Sequence, residues 1–305
     1  MISSWNEWDS LKRVVVGDAT DANWPVNDPV FSRESEKTTW KETPVPRGPV
    51  PQRIIEETNE DLATLVTTLI SLGVEVLRPD TLNFQTHDGL YNYCPRDRLL
   101  VLGDTVIDTP MMYPCREMEI QCYYDILQGA NVVHMPRDQG LVLDAANILR
   151  LGENKLLYLE SPSGNRAAYN WLVANFPDIS IELVNFYAGV HIDSTIVPLH
   201  EGLVLLNGSR VARDNIPQAF RDWECVFIDD VVAQAFYQYP YASKWMAMNM
   251  LVIDPETVIV DAEQHDLIEL LARKGFTVIP RTLRHSRTLG GGFHCVTLDL
   301  HRSNK

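Results

Sequence analysis

The hydrophobic positions of the chain repeat one pattern five times. Apolar residues at helical spacing lead to a short break, and a run rich in β-branched residues follows. The five β-rich runs are 74–79, 131–136, 179–184, 225–228 and 276–280. Glycine ends three of the helical stretches, at Gly73, Gly129 and Gly275, where it can adopt the positive φ of a helix C-cap. The runs begin about 50 residues apart, a period typical of repeat architectures.

Each β-rich run is followed by a loop and then by a strand–turn–strand pattern. Four hairpins are complete and have ordinary turn residues between their strands: 99–107, 147–158, 195–206 and 249–260. The fifth has only 296–300, and its natural partner is 11–16 near the other end of the chain. We therefore predict an α/β fold with pseudo-fivefold symmetry, a ring closed by pairing of the first and last strands, which also removes free sheet edges. The alternative is a generic α+β protein with coincidental spacing.

Two segments complete this prediction. Residues 18–52 contain six prolines and lie outside the repeat, so we expect a long loop that acts as a lid or a wrap. Residues 53–72 have apolar side chains on one face and predict a helix. We therefore predict a single domain over 1–305, because the five units of the ring account for the whole length.

Composition narrows the possible functions. The 305 residues include 26 Lys and Arg against 41 Asp and Glu, a net charge of −15, which argues against a nucleic-acid-binding surface. The chain shows neither a stretch of about 20 apolar residues nor a secretory signal pattern, so we expect a cytoplasmic protein. Its five cysteines form no CxxC pair, which disfavours a disulfide framework or a structural zinc site.

Candidate chemistry lies in the loop before each hairpin. Corresponding positions of successive units converge on the axis of a ring, so we expect one central pocket. The polar residues at these positions are Asp97, Asp144, His191, Asp193, Ser243 and Cys295.

Cys295 is the candidate nucleophile, and a neighbouring cation would favour its thiolate. His191 would transfer protons, with Asp144 orienting its ring. The ordinary alternative is that Cys295 is a small buried hydrophobic residue, which is also our interpretation of the other four cysteines; among these, Cys94 borders Asp97. His294 and His301 lie beside the fifth hairpin, and their role stays open. No metal-ligand spacing is present, so neither a metal nor a cofactor is predicted.

Asp97 and Asp193 predict the charge of the ligand. Converging carboxylates suit a planar cation such as a guanidinium. Arg210, after the third hairpin, could pair with a substrate carboxylate; alternatively, it is a solvated surface residue.

The motifs that contain these residues resemble the amidinotransferases of the guanidino-group-modifying enzymes, which include arginine:glycine and arginine:inosamine-phosphate amidinotransferases. The resemblance covers almost the whole chain and is most specific in its last motif. The motifs are Ser4-Trp-Asn-Glu-Trp-Asp9, Gly89-Leu-Tyr, Pro95-Arg-Asp97, Asp144-Ala-Ala, His191-Ile-Asp193, Ser243-Lys-Trp245 and Leu289-Gly-Gly-Gly-Phe-His-Cys295. The fold that this resemblance implies is a five-bladed α/β propeller, also called pentein-like.

The resemblance also implies a ping-pong mechanism. Cys295 attacks the guanidino carbon of L-arginine, and His191, positioned by Asp144, protonates the leaving nitrogen so that ornithine departs. An acceptor amine then takes the amidino group from the cysteine. Asp97 and Asp193 would hold the guanidinium, Arg210 the α-carboxylate and Ser243 part of the donor tail. The family also implies a possible homodimer.

The sequence departs from the glycine-specific members of that family at two motifs. Those members typically have Asp-Ala-Ala-Asp and Ser-Ser-Lys-Trp, whereas this chain has Asn147 and Ala242 at the variable positions. We therefore expect an acceptor other than glycine, in a specialised biosynthetic pathway. Two other functions remain open: a hydrolase of the arginine deiminase or amidinohydrolase type, and a non-catalytic binding module.

Overall fold

Five three-stranded sheets of the same construction make up most of the described chain. The computed structural model describes residues 1–37, 44–187, 189–234, 239 and 241–304. Its strands are β1 (Ser10–Val16), β2 (Asn23–Trp24), β3 (Gly48–Pro49), β4 (Glu75–Leu77), β5 (Leu99–Leu102), β6 (Thr105–Asp108), β7 (Asn131–His134), β8 (Ile148–Arg150), β9 (Lys155–Leu159), β10 (Ser180–Val184), β11 (Ile196–His200), β12 (Leu203–Asn207), β13 (Glu224–Ile228), β14 (Leu251–Asp254), β15 (Thr257–Asp261), β16 (Thr277–Arg281) and β17 (Thr297–Ser303).

Among the described residues, helices are fewer than strands. The α-helices are α1 (Pro29–Ser35), α2 (Gln52–Ser71), α3 (Pro95–Arg98), α4 (Arg166–Asn175), α5 (His265–Arg273) and α6 (Ser286–Leu289). The 3₁₀-helices are Pro114–Tyr123, Ala145–Asn147, Gln218–Phe220 and Lys244–Met248. The predicted helix at 53–72 is confirmed as α2.

Each sheet consists of an antiparallel pair followed by a parallel third strand. In chain order we number them sheet 1 (β17–β1–β4), sheet 2 (β5–β6–β7), sheet 3 (β8–β9–β10), sheet 4 (β11–β12–β13) and sheet 5 (β14–β15–β16). Each predicted β-rich run joins the sheet of the hairpin before it, as β13 does beside β12. A parallel strand needs a crossover connection, and the segment between the hairpin and the run supplies it.

Sheet 1 closes the ring as predicted. Strand β17 pairs antiparallel with β1, with Val14 opposite Asp299, and β4 lies parallel on the other side of β1. Hydrophobic clusters join neighbouring sheets all the way round: sheet 1 to 2, 2 to 3, 3 to 4 and 5, and 5 back to 1. The architecture is therefore the predicted five-bladed α/β propeller.

Two of the five predicted helical crossovers are wrong. The crossovers of sheets 2 and 4 contain 3₁₀-helices at Pro114–Tyr123 and Gln218–Phe220 instead of α-helices. Proline begins the first and directly precedes the second, and in the first Arg116 and Glu119 form a buried ion pair. Side chains three residues apart eclipse in a 3₁₀-helix, so this geometry brings the pair together better than an α-helix would.

The long loop predicted at 18–52 has more structure than expected in its described part. It contains the β2–β3 pair and α1, whose N-terminus is capped by Asp28. Phe31 of α1 packs against Tyr113 and Tyr241. Within the described ranges, no helix is both long enough and apolar enough to cross a membrane.

Candidate active site

The axis of the ring holds a cavity of about 700 Å³. All seven residues singled out in the sequence line it, namely Asp97, Asp144, His191, Asp193, Arg210, Ser243 and Cys295. Six of them precede the first strand of a sheet, and Arg210 follows β12. The fivefold repeat thus places one short polar segment from each blade around the same space.

His191 lies between two carboxylates. Its Nε2 is 3.0 Å from Asp144 Oδ2, and its Nδ1 is 3.7 Å from Asp97 Oδ1. Asp144 is fixed in turn, because its Oδ1 accepts a hydrogen bond of 2.8 Å from the backbone N–H of Met112. Burial lowers the pKa of His191, but Asp97 and Asp144 outweigh it and hold the pKa well above the ordinary value. The imidazole is therefore kept charged and ready to donate a proton.

The backbone at His191 is strained. Its φ of +60° lies in the left-handed region that non-glycine residues seldom adopt. The Tyr187 hydroxyl donates a hydrogen bond to the His191 carbonyl, which holds the loop in this conformation. Such strain commonly occurs at functional sites.

Cys295 lines the cavity as a buried, protonated thiol. Its Sγ donates to Asp193 Oδ2 at 3.3 Å, and its backbone N–H donates to Asn249 Oδ1 at 2.9 Å. A hydrogen bond with Cys94, burial and the charge of Asp193 raise the pKa of Cys295 well above the ordinary value, although His191 opposes this. A cation that enters the cavity would favour the thiolate.

The glycines before Cys295 are required by close contacts. Gly290 has a φ of +79°, and a Cβ there would lie 2.7 Å from the Tyr241 ring. A Cβ on Gly291 would lie 2.4 Å from Cys94 Sγ. Only glycine lets this backbone pass between the two neighbours.

Asp97 offers a free acceptor to the cavity. Its Oδ2 accepts from Arg116 Nη1 at 2.8 Å, whereas its buried Oδ1 has no hydrogen-bond partner in the described structure. Burial raises the pKa of Asp97, and the charges of His191 and Arg116 oppose this. An unpaired buried acceptor is costly, and a guanidinium N–H would satisfy it.

Arg210 points its guanidinium into the cavity with hydroxyl partners. Its Nη1 donates to Thr195 Oγ1 at 2.7 Å, and its Nη2 lies 3.5 Å from Ser243 Oγ. The guanidinium carbon stacks 4.8 Å above the Tyr187 ring. Among the residues whose placement is described, none forms a salt bridge with Arg210, so the cavity retains a cation for a substrate anion.

Several lining residues were missed by sequence reasoning. Tyr113 and Arg116 come from the crossover of sheet 2, not from a segment before a hairpin. Tyr241 directly precedes Ala242-Ser243 and could have been found from that motif; its hydroxyl lies 3.0 Å from that of Tyr113. Glu34 and Lys37, from α1 and the residues after it, also contribute to the lining. No cluster of three or more potential metal ligands occurs in the described ranges.

Comparison with known proteins gives whole-chain matches. No family model matches. The chain is 40% identical to inosamine-phosphate amidinotransferase 1 of Streptomyces griseus, over 99% of this chain and 97% of the relative. It is 27% identical to the L-arginine:L-lysine amidinotransferase of Pseudomonas savastanoi pv. phaseolicola, over 100% of this chain and 95% of the relative.

Solved structures agree with these matches. Inosamine-phosphate amidinotransferase StrB1 from Streptomyces griseus superposes with a TM-score of 0.93 at 38% identity, covering 100% of this chain and 98% of the other. SxtG, an amidinotransferase from Microseira wollei, gives 0.89 at 26% identity with the same coverage. A DDAH structure from Pseudomonas aeruginosa, at 16% identity and a TM-score of 0.66 over 95% of this chain and 99% of the other, shares the fold.

Proposed function

The chain belongs to the amidinotransferase family, and we propose that its axial cavity moves an amidino group from L-arginine to an amine through an adduct on Cys295. The observation that carries this assignment is that a buried thiol, a charged imidazole and three carboxylates share one cavity. Cys295, His191 and Asp144 are the proposed catalytic residues, and Asp97, Asp193, Arg210 and Ser243 the proposed substrate-binding residues.

The first half-reaction begins when the arginine guanidinium enters between Asp97 and Asp193. Its positive charge favours release of the Cys295 proton to solvent, and Sγ attacks the guanidino carbon. The bond from this carbon to the side-chain nitrogen breaks, and the nitrogen takes the proton of His191. Ornithine departs, an amidino-cysteine remains, and His191 is neutral.

The second half-reaction reverses these steps with a new amine. The acceptor nitrogen loses a proton to His191 as it attacks the amidino carbon. The carbon–sulfur bond then breaks, and Cys295 leaves as a thiolate. Asp144 keeps the ring orientation constant through both halves, since its other oxygen is fixed by a backbone N–H.

Arg210 and Ser243 are proposed to hold the amino-acid end of arginine. The free charge of Arg210 suits the α-carboxylate. Ser243 lies beside it and would bind the same end of the substrate.

A phosphorylated amino-cyclitol is the acceptor that we propose to test first. The name of the Streptomyces griseus relative, an inosamine-phosphate amidinotransferase, gives this substrate class, and the Asn147 and Ala242 departures disfavour glycine. Lys37, which also lines the cavity, provides a cation for a phosphate; in the free protein it pairs with Glu34. We also propose that the chain is a single-domain enzyme and works as a homodimer. Because the mechanism needs a free Cys295, we propose that it works in a reducing cytoplasm.

The test is incubation with arginine and, separately, inosamine phosphate, lysine or glycine as acceptor. With a suitable acceptor we expect continuous release of ornithine together with a guanidinylated product. With arginine alone we expect only a stoichiometric burst of ornithine and an adduct of ~42 Da on Cys295. The Cys295→Ser variant should lose both. Citrulline, urea or sustained ornithine production without an acceptor would instead select a hydrolase, and a missing adduct would favour a binding module.

A further inference from the structure

A line of hydrogen bonds leads from Cys295 away from the cavity. The thiol donates to Asp193 Oδ2 at 3.3 Å, and the same oxygen lies 2.8 Å from His294 Nδ1. The opposite ring nitrogen of His294, Nε2, lies 3.2 Å from Glu7 Oε2. All four side chains are buried, and His294 does not line the cavity.

The two carboxylates that contact His294 are ionised. Burial would raise the pKa of Glu7, but Arg150 and His294 hold it well below the ordinary value. Burial likewise opposes the charge of Asp193, yet hydrogen bonding and the charge of His294 lower its pKa to about 2. An ionised carboxylate only accepts hydrogen bonds. Both ring nitrogens of His294 thus face a carboxylate oxygen, and only the imidazolium form of the ring can donate a hydrogen bond from both.

Charged groups from three other elements surround this pair. Arg150 of β8 donates hydrogen bonds to both carboxylate oxygens of Glu7, at 2.9 and 2.7 Å. Arg96 of α3 donates to the His294 carbonyl at 2.8 Å, and its Nη1 lies 3.6 Å from Glu7. Asp299 of β17 accepts from Arg96 and Arg150. Glu7 is thus firmly held and presents a fixed anion to Nε2 of the His294 ring.

We propose that His294 is a positioning residue of the transfer reaction, a buried imidazolium that Glu7 fixes and that holds Asp193 as an oriented anion beneath the Cys295 thiol. The inference rests on the proposed function, in which Asp193 binds the guanidinium. His191 remains the group that moves protons, because it lines the cavity, whereas His294 acts through Asp193. The chain accordingly has two carboxylate–imidazole systems with different tasks.

The Glu7→Gln variant separates this proposal from simple charge effects. Removing a negative charge should, through space alone, lower the pKa values of Asp193 and Cys295. In the proposal, however, the neutral amide that replaces the Glu7 carboxylate no longer holds His294 as a cation. The nearer positive charge is lost, so both pKa values should rise. The direction of the shift therefore decides between the two.

The experiment measures Cys295 alkylation by iodoacetamide and kcat/KM for arginine, both against pH. We expect Glu7→Gln and His294→Asn, whose amide can still donate to Asp193, to move the alkylation midpoint and the acid limb of kcat/KM upward by about one pH unit. His285→Asn is the matched control, since His285 is also buried and contacts a glutamate, Glu57. It should leave both midpoints unchanged.

A downward shift in Glu7→Gln, or an unshifted midpoint in folded His294→Asn, would overturn the proposal. If neither variant folds, ¹⁵N NMR of histidine-labelled wild type decides, because the proposal requires both His294 nitrogens to be protonated at pH 8. A neutral ring would contradict it. The alkylation and NMR measurements need no turnover, so failure of the proposed function, seen as a missing amidino adduct, remains distinguishable.

Discussion

At the scale of single residues, we expect Arg210 to set selectivity for the donor substrate. Its guanidinium donates hydrogen bonds to hydroxyl groups, not to a carboxylate, in the described structure. Exchanging these neutral partners for a substrate carboxylate therefore costs little free energy. We predict that Arg210→Gln lowers kcat/KM for arginine by about 10- to 100-fold, the value of a charged hydrogen bond of roughly 1.5–3 kcal/mol.

Agmatine, which lacks the α-carboxylate, is the matched substrate control. Wild type should use agmatine poorly, and Arg210→Gln should leave that low rate nearly unchanged. Steady-state assays with both donors measure the difference. Equal losses for the two donors would show that Arg210 serves the fold or the reacting centre instead.

The sequence predicts those site residues that the repeat brings together. It does not predict the residues that reach the site through tertiary packing. Asp97, Asp144 and Cys295 occupy equivalent positions before successive hairpins, so the period alone brings them together. Arg116 reaches the cavity only because a 3₁₀-helix turns it toward Asp97. His294 was noticed in the sequence, but its two carboxylate partners come from residues 7 and 193, and no local pattern links them.

At the scale of elements, the glycine segment before Cys295 lets the backbone pass close to its neighbours, among them Cys94 Sγ beside Gly291. We predict that Gly291→Ala lowers kcat at least tenfold while the protein stays folded. The added Cβ would lie only 2.4 Å from Cys94 Sγ, so it would displace this sulfur next to Cys295, the proposed nucleophile. The rate of adduct formation with arginine, measured by rapid quench, reports the effect.

Gly275→Ala provides a control for the general cost of replacing glycine. Gly275 has a positive φ, and a Cβ there would meet nothing within 4 Å. It should lower the melting temperature slightly through strain and leave adduct formation at the wild-type rate. Similar kinetics in the two variants would refute the steric account.

Strands were predicted more accurately than the connections between them. The strands of the sheets are short apolar runs bounded by turn residues, so their positions can be identified from the sequence. The helical stretches expected to end at Gly129 and just before the run 225–228 are not α-helices; their crossovers contain the 3₁₀-helices Pro114–Tyr123 and Gln218–Phe220. The position of proline favours 3₁₀ geometry in both crossovers, and the buried Arg116–Glu119 pair favours it in the first. A hydrophobic pattern does not show the strength of such a contact.

At the scale of the whole molecule, buried charge holds the sheets together near the axis. Asp299 of β17 accepts from Arg96, Arg150 and Arg302, which belong to different parts of the ring. We predict that Asp299→Asn lowers the free energy of unfolding by about 3–5 kcal/mol, because it leaves buried arginines without their anion. Urea denaturation measures this.

Glu269→Gln is the corresponding surface control. Glu269 pairs with Arg273 on α5, and both side chains are largely exposed. Exposed pairs contribute little, so its unfolding curve should overlay that of wild type. A comparable loss in the two variants would contradict the role assigned to the axial charges.

Stability should depend on pH on both sides of a maximum. The pKa of Asp193 is lowered to about 2 in the folded protein, so its contribution is present above about pH 4 and is lost as the pH falls through 2. Burial raises the pKa of Glu119 to about 7; the folded state then binds more protons than the unfolded one, and stability declines as pH rises from about 4.5 to 7. His191, with its raised pKa, adds a further loss above about pH 6.5.

Calorimetry from pH 3 to 9 should therefore place the highest melting temperature near pH 4–5. Glu119→Gln should flatten the decline between about pH 4.5 and 7 without changing the acid side. A melting temperature that rises steadily up to pH 8 would contradict this balance.

The closure of sheet 1 by β1 and β17 has a consequence for how the molecule is made. On the ribosome, β1 and β4 emerge first, but their sheet stays open at one edge until β17 follows every other blade. Bringing such distant segments together costs about 5 kcal/mol of chain entropy, and the waiting edge is open to wrong partners. Cys295 precedes β17 directly and meets Asp193 only at this last step. We therefore expect a half-synthesised chain to lack the assembled site of Cys295, the proposed nucleophile, and to become active only after the ring closes.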